Sequence, residues 1–237
     1  MNLRTRIKIC GLTREQDVDA AVHAGADAVG FVLYPASPRY VTPERAATLA
    51  RRLPAFVTPV LLFVNEAIPE IIAISASITS ATLQFHGEET PQHCFSASGS
   101  GTRAFIRAAR IPLDESHPFD LLKFAADYPS AQAILLDTYV EGYGGGGKTF
   151  NWSQLPTNVN AHLVLSGGLS PANVACGIAL LRQRCKSLAV DVSSGVEVEG
   201  PGNKGIKDAA KIHQFVAAVR AADAHFAKIP HDALPAT

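Results

Sequence analysis

IKICGLT, residues 7–13, predicts a short buried strand that ends in a turn. At the two-residue period of a strand, the two isoleucines share one face, and Lys8 and Cys10 share the other. The glycine breaks the strand, and Thr13 is expected to cap the following helix, with Gln16 as its capping-box partner. The stretch therefore presents a thiol at the carboxyl end of a strand, where parallel α/β proteins place their chemistry. An unpaired cysteine is also commonly a small buried apolar residue, and this strand alone leaves both interpretations open.

The alternation of strand and helix continues along most of the 237 residues. The apolar run at 57–64 is typical of a strand that is buried on both faces. Thr42-Pro43 and Thr90-Pro91 each begin a helix with a capping residue followed by proline. About eight strand–helix units fit the roughly 250 residues of an eight-stranded parallel barrel. An open doubly wound sheet is the alternative, but no Gly-x-Gly-x-x-Gly follows the first strand, and we therefore favour the barrel.

The chain is predicted to be a single α/β domain, an eight-stranded parallel (β/α) TIM barrel, over residues 1–221. Residues 222–237 lack a periodic pattern and are expected to form a flexible C-terminal tail. Four consecutive glycines at 144–147, followed by Lys148, interrupt the pattern between the sixth and seventh strands. We expect a mobile lid there rather than a phosphate cradle.

Composition excludes several classes of function. The formal net charge is zero, which argues against bulk binding to nucleic acid or to an anionic membrane. Hydrophobic residues make up 47% of the chain, but no apolar run is long enough to span a bilayer, and no secretory signal is evident. The four cysteines form no Cys-x-x-Cys pair, so neither a disulfide framework nor a zinc site is predicted, and a cytoplasmic location is expected.

Chemically capable residues gather at one end of the predicted barrel. The last inward position of each strand and the loop after it form the active site of such a barrel. These positions hold Cys10, His86, Arg107, Asp137, Ser166 and Ser193. Packing alone does not explain this set, so we predict a catalytic mouth in which His86 and Arg107 bind substrate. Lower in the barrel, Lys8 and Asp191 are expected to form a structural ion pair, because an unpaired buried charge is costly.

Two glycine-rich turns occupy the positions that barrels use for phosphate. Gly167-Gly168 follows the seventh strand, and Ser193-Ser194-Gly195 follows the eighth. Glycine lets backbone N–H groups approach an anion closely, and a short helix that begins there adds its dipole. Both stretches are also compatible with ordinary tight turns. Their placement favours a site for a phosphorylated small molecule.

Several motifs, in order, resemble the phosphoribosylanthranilate isomerase family of tryptophan biosynthesis. The resemblance covers about residues 6–220 and extends over nearly the whole predicted barrel. The motifs are KICGLT at 8–13, GADAVGF at 25–31, SPRY at 37–40, QFHG at 84–87, LLD at 135–137, GGGGKTF at 144–150, SGGL at 166–169 and VDVSSGVE at 190–197.

This resemblance implies an Amadori rearrangement of N-(5-phosphoribosyl)anthranilate to 1-(2-carboxyphenylamino)-1-deoxyribulose 5-phosphate. Asp137 would be the general acid that opens the furanose ring, and Cys10, as a thiolate, the general base at C2. Arg39 would hold the anthranilate carboxylate, a task suited to its forked donors. The two glycine-rich turns would hold the phosphate. No metal or organic cofactor is implied, and the oligomeric state is left open between monomer and homodimer.

Residue chemistry agrees with the resemblance and weighs against its rivals. Cys10 precedes a predicted helix start, whose dipole would lower the thiol pKa from about 8.5. A carbon–carbon lyase such as indole-glycerol-phosphate synthase would need lysines at the strand ends, whereas Lys8 alone is expected inside the barrel and low in it. A non-catalytic phosphate-binding barrel would have no need of Cys10, Arg39 and Asp137 together.

Overall fold

Eight parallel strands close into a barrel in the order in which they occur along the chain, which confirms the predicted fold. The computed structural model describes residues 4–114, 119–139 and 149–227. Each strand pairs with its neighbours in sequence, and the last strand returns to pair with the first. The strands are β1 (Arg6–Cys10), β2 (Ala28–Val32), β3 (Thr58–Phe63), β4 (Thr82–Phe85), β5 (Phe105–Ile111), β6 (Ala133–Thr138), β7 (Val159–Leu165) and β8 (Cys185–Val192).

Seven α-helices surround the barrel within the described residues. Between β6 and β7, residues 149–158 contain a 3₁₀ turn at Trp152–Gln154 and no α-helix. The glycine run at 144–147, for which a lid was expected, lies outside the described residues. The helices are α1 (Glu15–Ala24), α2 (Pro43–Ala50), α3 (Ile68–Ala76), α4 (Pro91–Ala97), α5 (Leu121–Asp127), α6 (Val174–Leu181) and α7 (Ala209–Ala227).

The inward faces of β5 to β8 change from apolar to polar toward the carboxyl end of the barrel. Small and aliphatic side chains fill the interior lower down, among them Ala108, Leu135 and Val164. Because inward positions recur every two residues, the next ones fall at the top of each strand. They are polar on all four strands, namely Arg110, Asp137, Ser166 and Asp191.

The first strand lies between β2 and β8, and its register fixes two inward residues. Lys8 is opposite Asp191 of β8, and Cys10 is opposite Gly30 of β2. Lys8 Nζ donates to Asp191 Oδ1 at 2.9 Å, and both side chains are buried. The predicted ion pair between neighbouring strands is therefore confirmed.

Thr13 does not cap the first helix, contrary to the sequence-based expectation. α1 begins at Glu15, its capping residue is Arg14, and no side chain bonds the free N–H groups there. The Thr13 hydroxyl instead donates to the Gly205 carbonyl at 3.3 Å, across the end of the barrel. This long-range contact takes the hydroxyl away from the helix end.

The last helix continues to Ala227, past the expected start of the tail at residue 222. Ala222 is buried in the core, and the Asp223 carboxylate accepts the backbone N–H of Thr5 at 3.0 Å and its hydroxyl at 2.7 Å. Arg182 also pairs with Asp223. These contacts hold the helix against β1, while the remaining tail residues, 228–237, lie outside the described part of the chain.

In residues 4–114, 119–139 and 149–227, no helix combines the length and hydrophobicity needed to cross a membrane. Within the same ranges, no group of three or more His, Cys, Asp or Glu side chains is arranged to hold a metal ion.

Candidate active site

A cleft of about 680 Å³, open to solvent, lies at the carboxyl end of the barrel. Its walls come from several strands and the loops that follow them. Most of the residues predicted for the site line it together. They are Cys10, Arg39, His86, Asp137, Gly167, Gly168, Ser193 and Ser194.

The Cys10 thiol lies at the floor of this cleft and is 5% exposed. Burial raises the pKa of the Cys10 thiol, and the ammonium of Lys8 opposes that rise. The expectation that a helix dipole lowers the pKa of Cys10 is therefore wrong. The physical reason is that α1 begins only at Glu15, so the thiol lies against the barrel interior rather than against a helix end.

Asp137 lies on the other side of the cleft and is held by two contacts. Its Oδ1 accepts the backbone N–H of Thr138 at 2.9 Å, and its Oδ2 lies 2.8 Å from His86 Nε2. His86 Nδ1 in turn lies 2.9 Å from the Gln84 side-chain amide nitrogen. The amide nitrogen of Gln84 can only donate, so Nδ1 accepts, and the neutral imidazole carries its proton on Nε2 and donates it to Asp137 Oδ2.

Arg39 reaches the cleft from the loop after β2, and a buried carboxylate fixes its orientation. Arg39 Nε donates to Glu197 Oε1 at 2.7 Å, and Nη2 donates to Oε2 at 2.9 Å. Lys207 Nζ donates to Glu197 Oε1 at 3.0 Å and to the Ser193 carbonyl at 3.0 Å. Burial disfavours the charged form of Glu197, yet these two cations hold its pKa below the ordinary value. Among the described residues, no hydrogen bond involves Arg39 Nη1, which leaves that nitrogen for a ligand.

The two glycine-rich turns lie against each other beside the cleft. Gly167 and Gly168 have φ values of +75° and +66°, in the left-handed region that favours glycine. A Cβ at Gly195 would overlap the Leu169 carbonyl, so the turn after β8 packs directly on the turn after β7. A short 3₁₀ helix at Ser194–Val196 begins at this junction. Barrels commonly bind phosphate with this combination of turns and short helix.

Arg107 does not line the cleft, contrary to its prediction as a substrate-binding residue. Its Nη1 donates to the Phe85 carbonyl at 3.1 Å, its Nη2 donates to the Gly87 carbonyl at 3.0 Å, and the guanidinium stacks on Tyr128. The reason is the length of β5, which continues to Ile111 and so makes Arg107 an outward position in mid-strand. Gly195 also does not line the cleft, because it packs beneath Leu169.

Four residues near the site escaped the sequence-based prediction. Arg110 is the inward residue at the end of β5, in register with Asp137, and a longer reading of that strand would have found it. Gln84 belongs to the QFHG motif and precedes His86 by one strand repeat, but the sequence alone does not indicate its contact with the imidazole. Glu197 and Lys207 come together through an isolated antiparallel bridge, which no local pattern signals.

Comparison with known proteins agrees with this geometry. Residues 7–218 match the family model described as N-(5'phosphoribosyl)anthranilate (PRA) isomerase. The N-(5'-phosphoribosyl)anthranilate isomerase of Methylibium petroleiphilum is 58% identical over 225 residues, which cover 95% of this chain and 98% of that protein.

Two solved structures extend the likeness to the backbone. The phosphoribosyl anthranilate isomerase of Thermotoga maritima is 38% identical, with a TM-score of 0.77 over 92% of this chain and 99% of that one. A further isomerase, 34% identical with a TM-score of 0.72 and the same coverage, is in complex with reduced 1-(o-carboxyphenylamino)-1-deoxyribulose 5-phosphate. A family match that covers nearly the whole barrel, and relatives of this identity, place the chain in the N-(5'-phosphoribosyl)anthranilate isomerase family.

Proposed function

We propose that the protein converts N-(5'-phosphoribosyl)anthranilate to 1-(2-carboxyphenylamino)-1-deoxyribulose 5-phosphate, an isomerisation in tryptophan biosynthesis. One observation carries the assignment of residues: Cys10 and Asp137 line a single cleft that also contains the glycine-rich turns. An acid and a base on separate walls of one site are what a coupled ring opening and proton abstraction require. A cytoplasmic location is proposed with this function.

The reaction begins at the ring oxygen of the substrate. Asp137 donates its proton to that oxygen, the bond from C1 to the oxygen breaks, and the nitrogen lone pair forms a Schiff base. His86, 2.8 Å from the Asp137 carboxylate, orients this acid. Gln84 holds the opposite nitrogen of the same ring.

The second step is proton transfer from C2 to Cys10. The thiolate accepts the proton, the electron pair of the C–H bond forms a C1–C2 double bond, and the imine electron pair returns to nitrogen. The resulting enolamine tautomerises to the ketone product. Each step moves protons and electron pairs between groups already in the cleft, so the mechanism assigns no role to a metal ion or a redox cofactor.

The substrate is held at both ends in this proposal. Arg39 presents Nη1 to the anthranilate carboxylate while its other nitrogens are fixed by Glu197. Backbone N–H groups at Gly167, Gly168, Ser193 and Ser194 bind the phosphate. Binding at two ends places the ribose between Cys10 and Asp137.

The alternatives have weaker support. No lysine is among the described residues that line the cleft, which disfavours a lyase of the indole-glycerol-phosphate synthase type. A non-catalytic phosphate-binding barrel would not require a thiol and a carboxyl group on separate walls of one cleft.

Loss of anthranilate-type fluorescence when purified protein is mixed with freshly made phosphoribosylanthranilate tests the proposed isomerisation. A folded protein that leaves this fluorescence unchanged would reject it.

The oligomeric state is monomer or homodimer, and one surface feature favours the homodimer. Phe56 is 98% exposed at the amino-terminal end of the barrel and borders a second cavity, of about 750 Å³, that opens there. Apolar Val60 and Ile106 and charged Arg6 and Asp27 line this cavity beside Phe56, and exposed apolar surface rimmed by polar residues is typical of an interaction surface. Light scattering on the wild type and on a Phe56→Ser variant distinguishes the two states. A wild type that remains monomeric at high concentration excludes the homodimer.

A further inference from the structure

Lys8 is a buried cation beside the proposed base. It is two residues before Cys10 on β1, so both side chains point into the barrel. Lys8 is 4% exposed and Cys10 is 5% exposed. Nζ donates to Asp191 Oδ1 at 2.9 Å, and the other oxygen of Asp191 accepts the Ser166 hydroxyl at 3.3 Å. Lys8 and Ser166 thus both bond the Asp191 carboxylate, and this carboxylate fixes the position of the Lys8 ammonium.

Gly30 creates the space in which Lys8 meets Cys10. It is opposite Cys10 on β2 and has no side chain. A Cβ built there would lie 2.6 Å from Cys10 Sγ and 3.2 Å from Lys8 Cε, so the thiol and the end of the lysine share one gap. The ammonium at the end of this side chain is therefore close enough to the thiol to act on its charge, and it lowers the pKa of Cys10. An ammonium has three N–H donors, so the bond to Asp191 leaves others for sulfur.

A structural ion pair alone does not account for this arrangement. A buried pair of opposite charges contributes little net stability relative to apolar residues of similar volume. Asp191 lines the active-site cleft together with Cys10, and Lys8, which does not line the cleft, lies directly beneath these two residues. The charge on Lys8 therefore acts where the proposed reaction places a negative sulfur.

We propose that Lys8 is a positioning residue for the isomerisation, whose ammonium is the counter-cation of the Cys10 thiolate. The inference rests on the proposed function, in which Cys10 is the base. During the reaction the C2 proton passes to sulfur, and Lys8 keeps its own protons throughout. When the thiol is protonated, Lys8 remains paired with Asp191.

The charges around the thiol have opposing effects. Burial raises the pKa of Cys10, Lys8 lowers it, Asp191 raises it, and Lys207, which follows β8, lowers it. Lys8 lowers the pKa of Cys10 by more than Asp191 raises it. The His86–Asp137 pair faces the thiol across the cleft. Removal of both charges of the Lys8–Asp191 pair should therefore still make the thiol harder to ionise.

Three variants separate this role from a structural one. Lys8→Met removes the charge with little change in volume, and Lys8→Arg keeps a cation. The double variant Lys8→Met with Asp191→Asn leaves no unpaired charge, which protects folding if the single variant is unstable. The readouts are the pH dependence of kcat/KM and the pH dependence of Cys10 alkylation, with circular dichroism as the measure of folding.

The acid side of the pH profile should move to higher pH when the cation is lost. Lys8→Met should move it by roughly 1–3 pH units, which is about ten- to thousand-fold lower activity near neutral pH. The double variant should move it in the same direction, and Lys8→Arg should stay closer to the wild type. A double variant with the wild-type profile would overturn the proposal, because relief of an unpaired charge would then explain every effect.

Alkylation separates a failure of this inference from a failure of the proposed function. The rate of iodoacetamide reaction at Cys10 reports its ionisation whether or not the protein turns over phosphoribosylanthranilate. An upward shift of the alkylation profile in both Lys8→Met and the double variant supports the counter-cation role even in an inactive protein. An unshifted alkylation profile in folded Lys8→Met rejects that role even if the wild type is a good isomerase.

Discussion

Glu197 accepts two parallel hydrogen bonds from Arg39, from Nε at 2.7 Å and from Nη2 at 2.9 Å. The two residues come from opposite parts of the chain and are both buried. Because Lys207 bonds both Glu197 and Ser193, one network connects the proposed carboxylate clamp with the turn after β8. Positions that hold the two ends of the substrate are thereby set relative to each other.

Glu197→Gln is expected to weaken substrate binding more than it slows the chemical step. The amide keeps the shape but loses the charge that orients Arg39, and a hydrogen bond to a charged group contributes about 1.5–3 kcal/mol. We expect KM to rise roughly ten-fold or more while kcat changes less. Arg39→Ala should show the same pattern, because a clamp acts in the ground and transition states alike. Steady-state kinetics in which kcat collapses at constant KM would place both residues in the chemical step.

Asp137→Asn should abolish turnover while the barrel stays folded. The amide keeps the shape of the carboxyl group but has no acidic proton to give to the ring oxygen. Loss of a general acid typically lowers the rate by about 10²–10⁴-fold. The control is Gln84→Leu, which removes the contact to His86 but keeps the acid, and should therefore lose less activity. Wild-type-like turnover in folded Asp137→Asn would show that another group protonates the substrate.

Activity should be lost only when Cys10 is alkylated, even though another cysteine is alkylated first. Cys176 is exposed, whereas burial raises the pKa of Cys94 to about 12 and that of Cys185 to about 11. Limited alkylation should therefore label Cys176 without loss of activity. Because burial holds the pKa of Cys10 above its ordinary value, inactivation should speed up as pH rises and the thiol ionises.

Peptide mass mapping alongside activity checks this order. Cys176→Ala is the matched control and should inactivate at the wild-type rate. Cys10→Ser should lose nearly all activity without unfolding, because a hydroxyl is too weak a base near neutral pH. Inactivation that follows the labelling of Cys176, or normal turnover in Cys10→Ser, would contradict the assignment of the base.

Gly195→Ala should impair phosphate binding without any direct contact to phosphate. Its new methyl group would overlap the Leu169 carbonyl and force the two glycine-rich turns apart. We expect competition by inorganic phosphate to weaken by about ten-fold, since each 1.4 kcal/mol of lost binding is a factor of ten. Gly202→Ala is the control: a Cβ there meets nothing within 4 Å, and its φ of +82° makes it report backbone strain alone, without the overlap. Equal inhibition of both variants would place the phosphate elsewhere.

The sequence predicts the barrel well because its signals are local and repeated. Alternating inward residues, glycine turns and proline helix starts recur in each unit, and Lys8 and Asp191 could be paired once the first and last strands were expected to meet. Strand ends are less certain, because apolar runs do not mark where pairing stops. That is why the sequence points to Arg107, whereas the structure places Arg110 at the inward end of β5.

Contacts between distant segments account for the other differences. Threonine commonly caps helices, but the hydroxyl of Thr13 donates to the Gly205 carbonyl instead. The ionisation of Cys10 depends on what surrounds it, and a helix start at Glu15 is too far along the chain to act on it. Glu197 and Lys207 owe their position to one bridge between loops. Such contacts follow from the closed barrel and have no period or spacing of their own.

The bond between Thr5 and Asp223 also bears on where this chain needs to begin. This bond joins the start of the first strand to the last helix. The first and last units are therefore connected by contacts, as other neighbouring units are, and the eight units form a closed ring. A circular permutant that joins the present ends and opens a surface loop elsewhere would keep every strand pairing. In such a ring no unit is first by necessity, and the order in which the units are synthesised can change without a change in the site.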